Sequence, residues 1–124
     1  MTDVEAIEAY ISAWGYRDTI LKEKIPKFIQ RDPEALAIIN EHRQKEIIYA
    51  EAVMQKAEQA IERLPCEKWR KVMACRYFHN MTAYQAATAI YYSEKTAYRL
   101  IWAALEYLKE TEKQNRQKRP PEGP

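Results

Sequence analysis

Apolar residues recur at helical spacing along almost the whole chain, and charged or polar residues fill the positions between them. Val4, Ile7, Ile11 and Trp14 form the first stripe, which predicts a helix from about Val4 to Trp14. Thr2 and Glu5 match the S/T-x-x-E capping box, and Gly15 reads as a stop. A short second helix, about Tyr16 to Lys24, ends before Pro26. Residues 25–31 read as a connector that buries Ile25, Phe28 and Ile29. Asp32 then suits an N-cap and Pro33 the first helical position, and no Gly or Pro follows until Pro65. A helix over 33–64 would be roughly 45 Å long. Along it Ile47, Ala50, Met54, Ala57, Ile61 and Leu64 repeat in alternating steps of three and four, a heptad-like seam. Ile38, Ile39, Ile48, Tyr49 and Val53 widen that seam. It can pack on the first two helices of the same chain or on a second copy, for which Ile47, Met54 and Ile61 are the candidate oligomerisation residues.

Three further helices are predicted over residues 65–108. One spans about Cys66 to Phe78, with Trp69, Val72, Met73 and Tyr77 inward, and Asn80 suits a left-handed turn after it. The next opens at a second capping box, Thr82 and Gln85, and ends near Ile90. After a Tyr91-Tyr92 turn, Ser93 caps a last helix whose apolar face is Ala97, Leu100, Ile101, Ala104, Leu105 and Leu108. From Lys113 the apolar periodicity stops, so a disordered tail is expected. The fold class is all-α, in three parts. Residues 1–64 form an N-terminal helical segment for oligomerisation or partner binding. Residues 65–108 form a second helical unit, and residues 109–124 a basic, disordered tail.

Composition narrows the function classes. A chain of 124 residues can bury a core without disulfides or a structural metal. Only two glycines occur, Gly15 and Gly123, which excludes glycine-rich phosphate loops and argues against a turn-rich β sandwich. No apolar run approaches a membrane span, and the acidic, helical start is unlike a signal or transit peptide, so a cytoplasmic protein is expected. Cys66, Cys75 and His79 lack a fourth ligand for a metal site, and Cys75 reads as a small core residue. His42 and His79 have no catalytic partner at suitable spacing, and no nucleophile triad or carboxylate pair stands out. An enzyme, a cofactor and a metal are therefore not expected. Charge is uneven: residues 1–65 are net −3, residues 66–108 net +3 and residues 109–124 net +2. That distribution suits an acidic partner for the C-terminal half.

The helix of about eight residues, the tight turn and the capped helix form a helix-turn-helix candidate. Ala86 and Ala87 permit a close crossing, and Glu94, Lys95, Tyr98 and Arg99 fall on the outward side of the last helix. The elements Leu64-Pro65, Arg76-Tyr77, Thr82 with Gln85-Ala86-Ala87, Ser93, Thr96-Ala97 and Ala104-Leu105 resemble, in order and spacing, the DNA-reading fourth region of sigma-70-type factors. The wording YYSEKTAYRLIWAAL is similar to the sigma-like small regulators of phages and prophages, including late-gene activators of the RinA and ArpU type. Those proteins also place a long helical segment before the module. The resemblance implies that Glu94, Lys95 and Tyr98 face bases and that Arg99 faces a base or a phosphate. It places Arg76, Thr82, Ser93 and Thr96 near phosphates, and Ala87, Ala97, Leu100 or Ile101, and Ala104 in the core. Three positions depart from the pattern: Tyr91 stands where glycine is common, Ala97 where a branched residue is usual, and Ala103 where a basic one is frequent.

The function expected is a sequence-specific, double-stranded-DNA-binding transcription regulator, a phage sigma-like activator in the bacterial host cytoplasm. RNA polymerase and a second copy of the chain are the further partners considered. The alternatives are a small-terminase-like DNA-packaging subunit and an RNA polymerase adaptor that never touches DNA. The many aromatic residues are expected mainly in the core.

Overall fold

The structure, a computed structural model, describes residues 1–118, and among these there are helices and no strands. The helices are α1 (Asp3–Lys22), α2 (Lys27–Gln30), α3 (Pro33–Glu62), α4 (Glu67–Met73), α5 (Ala83–Ala89) and α6 (Glu94–Lys118). A π-helical turn, Ala74–Phe78, continues directly from α4.

Four helix starts follow from their capping chemistry. Thr2 accepts from the Glu5 amide while the Glu5 carboxylate accepts from the Thr2 amide. Asp32 accepts from the amides of Glu34 and Ala35 with Pro33 behind it. Thr82 and Gln85 make the same reciprocal pair as Thr2 and Glu5. Ser93 accepts from the Thr96 amide. Each satisfies amides that a helix start otherwise leaves without partners.

Gly15 does not stop the first helix, contrary to the sequence expectation. Residues 3–22 form one helix, and Thr19 donates from its hydroxyl to the Gly15 carbonyl one turn back. The packing of α1 along α3 outweighs glycine's low propensity. A Cβ at Gly15 would meet no atom within 4 Å. Gly15→Ala is therefore expected to stabilise the protein by about 0.5–1 kcal/mol, as read by chemical denaturation.

α1 lies antiparallel to α3. Along the pair, Asp3 meets Lys56 and Arg63 at 3.3 and 3.1 Å, the Tyr10 hydroxyl donates to Glu58, Tyr16 donates to Glu46, and Arg43 donates to the Ile20 carbonyl. The heptad-like seam is thereby covered within the chain. Met54 and Ile61 are only 6% and 4% exposed, and Ile47 is half-buried. α1 thus covers these three residues within the chain, while Ile38, Ile48 and Tyr49, which widen the seam, are 68%, 56% and 65% exposed. The connector differs too. Phe28 is strongly exposed and Ile25 and Ile29 are half-buried, because a four-residue helix has too little surface to cover them.

One core joins the two halves. Val4 and Ile7 of α1, Ala57, Ala60 and Ile61 of α3 and Leu64 just beyond it form a single cluster with Val72, Met73, Ala86, Ala97, Ile101, Ala104 and Leu108. The Tyr10 and Phe78 rings lie 4.1 Å apart across that junction, and the Asp3 amide donates to Glu112. Position 64/65 is thus not a break between separate cores. The expected tail is also revised, since α6 runs on to Lys118 as a continuous helix. Thr111 and Glu112 are half-buried against the start of α1, which gives these residues a tertiary partner. Residues 119–124 of that tail lie outside the described residues.

Candidate nucleic-acid interface

α5 and α6 are joined by the short turn Ile90–Ser93 and pack on each other through Ala83, Ala86 and Ala87 of α5 and Ala97 of α6, all buried. Small side chains on both helices allow this close crossing. Ala97, fully buried, fits that approach. Ala97, Ile101, Ala104 and Leu108 then anchor the inner face of α6, with Leu100 and Leu105 half-buried beside them.

The turn is made by a strained residue. Tyr91 has φ 62° and its side chain is 95% exposed. A left-handed backbone costs a bulky L-residue energy that glycine avoids. Tyr91→Gly is expected to raise stability by about 1 kcal/mol without moving α6, measured by thermal and chemical unfolding. Asn80, at φ 53°, occupies the other left-handed position, after the π turn, and asparagine tolerates it better.

The outer face of α6 is populated by the residues singled out from sequence. Glu94, Lys95, Tyr98 and Arg99 are all exposed. Among the described residues, neither Lys95 nor Arg99 has a carboxylate within ion-pair distance. Trp102, one turn further along the same face, is 67% exposed and Tyr98 is 58% exposed. The sequence reading did not place Trp102 here, although it lies seven residues after Lys95 and so on the same side of the helix.

The four residues expected near phosphates have partners within the chain. Thr82 and Ser93 spend their hydroxyls on capping, and Thr96 is 2.9 Å from the Ser93 hydroxyl. Arg76 is half-buried: its guanidinium donates to the Met81 carbonyl at 3.1 Å and lies 5.5 Å from the Tyr77 ring centroid. It braces the loop leading into α5.

Lys68 is a cation that sequence reasoning missed. Its ammonium lies 5.5 Å from the centroid of the Tyr92 ring, beside the residue that precedes the α6 cap. Its interaction with Tyr92, hydrogen bonding first and charge second, raises its pKa above the ordinary lysine value. Lys68 and Lys71 line a cleft of about 550 Å³ with Cys75, His79, Tyr91 and Tyr92. Only the folded packing of α4 against the turn brings Lys68 there, so local sequence spacing carried no signal for it.

Among the described residues no group of three or more His, Cys, Asp or Glu is placed to hold a metal ion. No helix among them is long and apolar enough to cross a membrane. Comparison of the chain with known protein families, with curated proteins and with solved structures finds no match.

Proposed function

We propose that this protein is a sequence-specific double-stranded-DNA-binding transcription regulator, a sigma-like activator of the phage type, whose α6 docks in the major groove. The observation that carries the reading is the two-faced α6. Its inner face is anchored in the core, and its capped first turns present Lys95, Tyr98 and Arg99 outward with Lys68 beside the preceding turn. Recognition helices read base edges from their N-terminal residues while neighbouring cations hold phosphates. The B-DNA major groove is about 12 Å wide and admits an α-helix. The wording of residues 91–105, similar to that of sigma-like phage regulators, supports the same reading.

The test is retention of duplex fragments from a random-sequence pool by the purified full chain at two salt concentrations. Enrichment of a defined sequence, with affinity falling steeply as salt rises, is the expected result. Absence of binding to any duplex at low salt would overturn the reading and leave the polymerase-adaptor alternative. A large closed ring in sedimentation, with retained DNA, would favour the packaging alternative.

A further inference from the structure

The proposed groove-facing side of α6 carries more apolar surface than phosphate contact or guanine reading requires. Tyr98 and Trp102 are exposed there, one turn apart, with Arg99 between them. Together with Ala103 they line a shallow depression. A tryptophan left mainly in water on a helix with a well-filled inner face is a large unburied apolar area. Lys95 and Arg99 are the cations beside it. Glu94 and Glu106 are the carboxylates on the same stretch, with Glu106 lying 3.9 Å from Lys109. Under the DNA-binding reading the occupant is the polyanionic duplex. Among the groups that duplex DNA presents in its major groove, the thymine C5-methyl is the apolar one. The distance along α6 from Glu94 to Trp102 is about 12 Å, comparable with the groove itself.

We propose that Tyr98 and Trp102 form an apolar reader of thymine methyl groups, giving the protein a preference for thymine at one or two positions next to those read by Lys95 and Arg99. The inference rests on the DNA-binding reading above and names a determinant of its specificity. The depression takes a methyl group against an aromatic face while Arg99 keeps the neighbouring phosphate or guanine edge.

The experiment uses the full chain and the tightest-binding duplex recovered from the random-sequence pool. Each thymine in that duplex is replaced in turn by deoxyuridine, which keeps its base pair and lacks only the methyl. At one or two positions the wild type is expected to bind about fourfold more weakly, the equivalent of one methyl withdrawn from an apolar contact. Trp102→Ala and Tyr98→Ala, both at exposed positions that leave the core intact, are expected to abolish that penalty. Trp102→Phe is expected to keep part of it. Equal binding of thymine and uracil duplexes at every position would overturn the inference while leaving DNA binding in place. So would a penalty that persists undiminished in both alanine variants. A wild type that binds no duplex would instead remove the DNA-binding reading and this inference with it.

Discussion

Replacing Lys95 or Arg99 by alanine is expected to weaken binding to the preferred duplex by about 1–3 kcal/mol for each residue that reads a base. Both side chains are exposed, so neither change should alter the helical signal or the unfolding midpoint by more than a few tenths of a kcal/mol. The comparison between duplexes assigns the roles. A base-reading residue loses affinity for the preferred duplex and little for an unrelated one. A phosphate-contacting residue loses both alike and lowers the salt slope by about one. Lys68→Ala is expected to behave in the second way, because its position beside Tyr92 puts it next to the turn rather than on the reading face. Unchanged affinity in both Lys95→Ala and Arg99→Ala would reject α6 as the recognition helix.

Ile7→Ala is expected to destabilise the whole protein by about 2–5 kcal/mol. Ile7 is fully buried in the cluster that joins α1 and α3 to α4, α5 and α6. Its removal opens a cavity at the junction of both halves, and close packing leaves neighbours little room to relax. Against a typical total of about 5–15 kcal/mol, that is a substantial share. The single core also dictates the form of the transition. Trp14 reports on α1, while Trp69 and Trp102 report on the C-terminal half. In single-tryptophan variants the unfolding midpoints are expected to coincide and to fall together on Ile7→Ala. Separate midpoints, with only the α1 probe shifted, would show that the two halves fold independently. By the same reasoning residues 65–118 alone are expected to be poorly folded, since Val4, Ile7 and Leu64 no longer close their core.

The residues proposed to read bases lie on one helix, α6, whose inner face is anchored in the core. Arg76 illustrates why roles assigned by position need geometry. Its guanidinium is engaged with the Met81 carbonyl, so its substitution should loosen the loop before α5 as well as any DNA contact. Thr82 and Ser93 are similar, because their hydroxyls hold helix starts. Alanine at either is expected to act first on stability, at about 1 kcal/mol, and only through that on binding.

Much of the local structure was legible in the sequence. The caps at Thr2, Asp32, Thr82 and Ser93 depend on contacts within three residues, so their spacing is sufficient to place them. The left-handed turn at Asn80 and the inner face of α6 from Ala97 to Leu108 were legible for the same reason, each being set by residue type or by the helical period. The choices that required tertiary structure all turn on which apolar surface meets which. Gly15 lies inside a helix because α3 holds α1 along its length. Met54 and Ile61 are buried within the chain because α1 packs along α3. Residues 109–118 are helical where Thr111 and Glu112 meet the start of α1. The aromatic rings were expected mainly in the core, yet Trp14, Tyr16, Tyr49, Tyr84 and Trp102 face outward. Local hydrogen bonding and helical periodicity are properties of neighbouring residues, and the chain alone determined them. Burial is a competition among faces distant in sequence, and only the folded packing decided it.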